Sequence, residues 1–187
     1  FTINDNQGRA IASDTVDVIV TPVNDAPILA EIGNQETSED TSLVLTLEAS
    51  DVDENDLNFS VSSDTTAIAV SVIGDQLTMT PAADWNGIAN IMVTVSDGFL
   101  GDTSNFELTV NPVNDSPTIA LPDAFTFAED GSLVGNFNEY VDDIDEDGLV
   151  LTVSDTVNII VSISGFEVTF GALQDWNGTE ALTFTIN

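Results

Sequence analysis

Two pairs of acids spaced by one residue, Asp51 with Asp53 and Asp143 with Asp145, are placed to grip a cation. In an extended segment residues i and i+2 face the same side about 6.5–7 Å apart, so each pair can hold one ion or two neighbouring ones. Upstream of each pair an Asn-Asp dipeptide stands between prolines, Asn24-Asp25 in "PVNDAP" and Asn114-Asp115 in "PVNDSP". Calcium takes roughly six to eight oxygens from carboxylates, Asn side chains and backbone carbonyls, the groups concentrated here. The flanking prolines restrict the linker, so less entropy is lost when it orders around an ion.

Charge points the same way. The chain of 187 residues carries 33 Asp plus Glu against a single basic residue, Arg9, for a formal net charge of -32. Phosphate contacts need Lys and Arg, which excludes nucleic acid as a partner, and anionic membrane surfaces are excluded for the same reason. A compact body with this much like charge repels itself unless salt screens it or cations bind it. Cysteine and histidine are both absent, removing disulfides, thiolate and imidazole metal sites, and the commonest general base.

Catalysis would have to rest on carboxylates alone, as in glycoside hydrolysis, and no acid is singled out for a raised pKa in a cleft. No enzyme is expected. "DIDEDG" at Asp143 to Gly148 matches the first half of an EF-hand loop, but position 12 is Ser154 rather than Glu, so only a local calcium loop is open to it. Trp85 and Trp176, each between Asp and Asn-Gly, read as corner residues of the fold rather than sugar-stacking platforms. Asn58 and Asn177 fit the glycosylation sequon. No apolar run approaches the length of a membrane span, and direct membrane contact is not expected.

These motifs belong to a repeat. "SEDTSLV" at Ser38 to Val44 returns as "AEDGSLV" at Ala128 to Val134, and "ADWNG" at Ala83 to Gly87 as "QDWNG" at Gln174 to Gly178. "FTIND" at Phe1 is answered by "VTVSD" at Val93, and the chain closes on "FTIN" at Phe184. Such a fixed period marks an array of similar modules. The frame divides the chain into residues 1–21 as the last two strands of a preceding repeat, a complete repeat at 22–111, and a repeat at 112–187 lacking its final strand. It implies a window cut within a module at both ends.

The elements that position the acids are strands. Leu43, Leu45 and Leu47 alternate with Val44, Thr46 and Glu48, and the same period of two runs through Leu57, Phe59 and Val61, then Ile91, Val93 and Val95, then Phe106, Leu108 and Val110. Val16, Val18 and Val20 repeat the last of these patterns. With Ile28 to Ile32, Ile68 to Val72 and Gln76 to Thr80 this makes about seven short strands per repeat, which predicts an all-β protein of tandem Greek-key, immunoglobulin-type sandwiches.

"VTVSDG" followed by "FELTVNPVNDSP" and acidic stretches such as "ASDVDENDLNFSV" resemble the cadherin repeat and its bacterial cadherin-like relatives, the PVNDAP-type repeats of large surface adhesins. The resemblance covers the whole chain. It implies calcium between successive modules, held by a linker Asn-Asp, a base Glu of the preceding module and an Asp-x-Asp pair of the following one. At the Pro112 junction these would be Glu39 and Asp84, Asn114 and Asp115, and Asp143 and Asp145. At the Pro22 junction they would be Asn24, Asp25, Asp51, Asp53 and Asp97. Ala26 and Ser116 stand where the cadherin linker usually has Asn, and Pro22 and Pro112 where it has Asp, so fewer ions per junction are expected.

The function expected is therefore a calcium-stiffened structural segment of an extracellular adhesin stalk or surface filament. Its partners would be neighbouring repeats of the same protein, with head-to-tail completion between chains also open. A carbohydrate- or protein-binding sandwich and a halophile's surface-layer protein are the alternatives.

Overall fold

A computed structural model describes residues 2–3 and 12–187. Among them every regular element is a strand except a 3-10 turn at Phe137–Glu139. Strands β1 (Thr2–Ile3) and β2 (Ala12–Ser13) pair antiparallel. There follow β3 (Ile28–Leu29), β4 (Gln35–Ser38), β5 (Leu43–Thr46), β6 (Ala49–Ser50), β7 (Asn58–Ser63), β8 (Ile68–Ile73), β9 (Gln76–Pro81), β10 (Gly87–Ser96) and β11 (Gly101–Asn111). Their sheets run β4-β11-β10-β7, β5-β9-β8 and β3-β6.

The remaining strands are β12 (Thr118–Ile119), β13 (Leu133–Asn136), β14 (Val141–Asp142), β15 (Leu151–Ser154), β16 (Ile159–Ser164), β17 (Glu167–Ala172) and β18 (Thr183–Ile186). They form sheets β13-β17-β16, β15-β18 and β12-β14. The two sets correspond strand for strand, β5-β9-β8 with β13-β17-β16 and β7-β10 with β15-β18. Only β4 and β11 have no counterpart.

Period-two patterning decides which side chains are buried. On β9 Leu77 and Met79 point inward, and on β10 Ala89, Ile91, Val93 and Val95 do, all without exposure to solvent. Register sets Val93 opposite Val61 and Val95 opposite Phe59 on β7, so the inward rows of adjacent strands align. This is the two-faced arrangement of a β-sandwich, and the all-β sandwich class read from the sequence is the class observed.

Packing groups the chain into two compact units. One comprises the chain up to Gln35 with Ser42–Thr80 and Ile88–Leu108; the other comprises Glu36–Thr41, Pro81–Gly87 and Thr109–Asn187. The second unit has an aromatic core in which Phe137 stacks on Phe125 at 5.4 Å between centroids and lies 4.8 Å from Phe184. Leu151, Val168 and Phe170 complete its buried centre.

Two sequence expectations change. Residues 14–27 form no ladder, and Val16, Val18 and Val20 are exposed, so the strand expected over them is not present. Alternation supplies a strand's faces but not its hydrogen-bonding partner, and none of the described residues provides one. Conversely β4, written "QETS", lacks an apolar alternation and could not be read from the sequence. The Asp5 of "FTIND" lies outside the described residues.

Candidate metal centre

The Pro22 linker gathers its five expected residues within the first unit. Asn24 Nδ2 donates to Asp97 Oδ2 at 2.7 Å, and the backbone amide of Asp25 donates to Asp53 Oδ2 at 2.8 Å. Asp51 Oδ1 accepts from the amides of Asp53 at 2.8 Å and Asn55 at 3.4 Å, which bends the acidic segment into a tight loop. Asn55 Nδ2 closes the network on Asn24 Oδ1 at 2.9 Å. The Asn24 amide and the amides of Leu100 and Phe99 hold the Asp97 carboxyl below its ordinary value. Asp51 Oδ2 is buried with no donor against it.

The Pro112 linker repeats this construction inside the second unit and adds a denser group of carboxylates. The amide of Asp115 donates to Asp145 Oδ2 at 2.6 Å, while Asp143 Oδ1 accepts from the amides of Asp145 and Asp147 at 3.1 Å each. Asp143 thus spends one oxygen on its own loop, as Asp51 does, and the segment is a local acidic loop rather than an EF-hand. Asn114 Nδ2 donates to the Asp115 carbonyl at 2.8 Å, as Asn24 Nδ2 does to that of Asp25 at 3.1 Å.

The chain just beyond β4 supplies the floor. Glu39 donates its amide to the Asn111 carbonyl at 2.9 Å, and its side chain is only 2% exposed. Its Oε1 accepts from the Val113 amide at 2.5 Å and its Oε2 from Asn86 Nδ2 at 3.4 Å. Asp40 and Asp84 are both left-handed, at φ 58° and 54°, a conformation that short acidic side chains tolerate better than most. Asp40 Oδ1 accepts from the Asp84 amide at 3.2 Å.

Two triads of carboxylate oxygens result, Glu39 with Asp115 and Asp145, and Asp40 with Asp84 and Asp115, each set within 4.8 Å of one another. Asp115 belongs to both. Its Oδ2 is out of reach of solvent and accepts no hydrogen bond. Burial, followed by the charges of Asp84, Asp145, Asp40 and Glu39, raises its carboxyl above the ordinary value. An unpaired buried oxygen among four other carboxylates costs free energy that only a proton or a cation can offset. With one arginine in the whole chain, protein cations cannot match five acids.

The donor set fits calcium. It consists of hard oxygens alone, with no imidazole or thiolate to favour zinc. Glu39, Asp40, Asp84, Asp115 and Asp145 would hold the ion. Of the eleven residues expected from sequence, Glu39, Asp84, Asp115 and Asp145 fall in the two triads, while Asn114 and Asp143 meet that group only through the Asp115 carbonyl and the Asp145 amide; Asn24, Asp25, Asp51, Asp53 and Asp97 lie along the hydrogen bonds of the other loop, outside both triads. Sequence reasoning missed Asp40 and Asn86 here, and Asn55 in the other loop. The signal was present, because Asp40 and Asn86 recur as Asp130 and Asn177 in the same repeated words.

That recurrence is structural too. Asp130 Oδ1 accepts from the Asp175 amide at 3.3 Å and Glu129 Oε2 from Asn177 Nδ2 at 3.3 Å, the contacts of Asp40 with Asp84 and of Glu39 with Asn86. Trp85 lies across Gly87, where φ is 146° and an added Cβ would meet the indole at 3.1 Å. The ring covers its own turn, which is the corner role.

The fold and the acidic loops define a class, all-β sandwiches with oxygen-rich linkers. Within it, residues 23–111 match the Cadherin-like domain family, and this stretch has a cadherin-like fold. Cadherin-like domains are non-enzymatic, adhesion-type or structural modules, generally extracellular. No curated protein matches the chain.

Among solved structures, human protocadherin-24 EC1-2 (form II) is similar at 17% identity, over 86% of this chain and 91% of that one, with a TM-score of 0.49. The titin domains Z1Z2 in complex with telethonin are similar at 11% identity, over 88% and 95%, with a TM-score of 0.40. An endo-fucoidan hydrolase of glycoside hydrolase family 107 is similar at 14% identity and a TM-score of 0.43, over 83% of this chain. The chain spans 25% of that hydrolase's length. No helix among the described residues is long and apolar enough to cross a membrane.

Proposed function

We propose that the chain is a calcium-stiffened structural segment of an extracellular tandem-repeat adhesin stalk or surface filament, made of PVNDAP-type cadherin-like repeats at 22–111 and 112–187. The observation that carries this reading is the buried, undonated Oδ2 of Asp115 within two carboxylate triads. Calcium, when bound, supplies the positive charge that the chain lacks. Glu39 ties the floor of the site to the linker through Val113, and Asp115 ties the linker to Asp145, so all three segments share one set of charges. Repulsion among the unpaired acids loosens the linker, and neutralising them makes it rigid.

Small-angle scattering tests the reading. Calcium should lengthen and narrow the distance distribution of the parent, and a chelator should reverse the change. The double variant Asp115→Asn with Asp145→Asn should be indifferent to both. A parent profile that calcium leaves unchanged would defeat the proposal.

A further inference from the structure

The turn Asp84-Trp85-Asn86-Gly87 sends two side chains to the acidic site and packs the other two residues on each other. It closes through the Trp85 amide, which donates to the Ala82 carbonyl at 3.3 Å, with Asp84 left-handed at the third position. The Trp85 ring then lies on Gly87, where φ of 146° favours glycine and an added Cβ would meet the indole at 3.1 Å. On one side of the tryptophan, Asp84 gives its amide to Asp40 Oδ1 at 3.2 Å and its carboxylate to the triad with Asp40 and Asp115. On the other side, Asn86 donates Nδ2 to Glu39 Oε2 at 3.4 Å.

Glu39 is buried, its Oε1 is tied to the Val113 amide, and Asn86 is the donor to its other oxygen. Contacts at both oxygens fix the plane of the carboxylate. At 3.4 Å the second bond is long and weak, so it aims Oε2 without occupying it. The donor is also neutral. An Asp at this position would add repulsion and a Lys would cancel the charge of Glu39, whereas an amide does neither. Asn86 is itself exposed, so burial does not explain its place. The third repeat builds the same turn: the Trp176 amide donates to the Leu173 carbonyl at 3.1 Å, the Trp176 ring lies on Gly178, and Asn177 Nδ2 donates to Glu129 Oε2. The four-residue word therefore carries its geometry with it.

We infer that Asn86 is a positioning residue for the Glu39 carboxylate, and that Trp85 packed on Gly87 holds Asn86 and Asp84 against Glu39 and Asp40 in the metal-free protein. Donors that orient a ligating carboxylate in advance remove part of the ordering cost of binding. For its effect on calcium this role rests on the function proposed above; the arrangement in the metal-free protein does not.

Two measurements on the full chain test it. In chelator, Asn86→Ala should speed hydrogen exchange of the Val113 amide several-fold, because Glu39 is then held from one side only, and Trp85→Ala should do the same while Trp85→Phe, which keeps a ring over Gly87, should not. In calorimetric titration with calcium, Asn86→Ala should raise the Kd about 10-fold at the site that Asp115→Asn removes. Because Asn86 acts through Glu39, adding Asn86→Ala to Glu39→Gln should weaken that site no further than Glu39→Gln alone, whereas a residue serving the fold in general would add its full effect. A Val113 amide indifferent to Asn86→Ala, or additive losses in the double variant, overturns the positioning role, and Trp85→Ala with the parent's exchange overturns the part given to the ring. A parent that binds no calcium defeats the function proposed above, while Val113 exchange in chelator still decides this role.

Discussion

Asp115 donates its amide to Asp145 at 2.6 Å while its own Oδ2 is buried without a donor. The same residue is therefore a fixed point of the loop and its least satisfied charge. The hydrogen bond from the Asp115 amide alone would stabilise the linker; an unpaired carboxylate destabilises it. The balance is set by what neutralises that oxygen.

Calcium should raise the unfolding temperature of the chain. A ligand at about 100 times its Kd stabilises the native state by about 2.7 kcal/mol per site, which for a chain of this size corresponds to roughly 5–10 °C. Differential scanning calorimetry with calcium and with chelator measures it. Asp115→Asn should remove most of the gain attributable to the Pro112 loop, and an undiminished gain in that variant would move the site elsewhere.

Glu39 separates charge from hydrogen bonding. Glu39→Gln keeps an acceptor for the Val113 amide and removes a like charge, so metal-free stability should hold or rise while the calcium response falls. Glu39→Ala takes the acceptor from the Val113 amide and should cost about 0.5–1.5 kcal/mol without metal. Equal behaviour of the two variants in denaturant titrations would mean that the side chain serves packing alone.

Acidity should act on Asp115 and Asp64 in opposite senses. The Asp115 carboxyl is raised in the fold, so its ionised form is disfavoured; that penalty is complete above the folded pKa and is relieved as pH falls through it toward the unfolded value. The Asn90 side chain and amide lower the Asp64 carboxyl below 3.8, so its stabilisation is present above 3.8 and is lost as pH falls through the folded pKa. Melting curves in chelator across the acidic range should show Asp115→Asn lacking part of the parent's gain on mild acidification. Asp64→Asn should lack the loss at the acid end. Profiles parallel to the parent's would contradict both assignments.

Phe137 anchors the aromatic core of the second unit, buried completely and in ring contact with Phe125, Tyr140, Phe170 and Phe184. Phe137→Ala should cost about 3–5 kcal/mol, the range for emptying a packed aromatic site. Near-ultraviolet circular dichroism during urea unfolding reads the loss.

The sequence by itself determined the strands that alternate, from Leu43 to Thr46 through Phe106 to Val110, because burial of one face writes a period of two into the residues. It also determined the repeat, the all-β class and the acidic loops, since Asn-Asp linkers and Asp-x-Asp pairs are local words. It did not reveal β4, whose "QETS" is ordered by its ladder with β11 rather than by any pattern of its own. Nor could it show that the strand pattern at Val16 to Val20 pairs with none of the described residues, because a ladder needs a partner that spacing does not name. Tertiary structure alone decided that Asp40 and Asp84 share a triad with Asp115 and that one oxygen of Asp115 has no donor. Those facts depend on distances between segments remote in sequence, and electrostatic energy depends on distance in space, not on position along the chain.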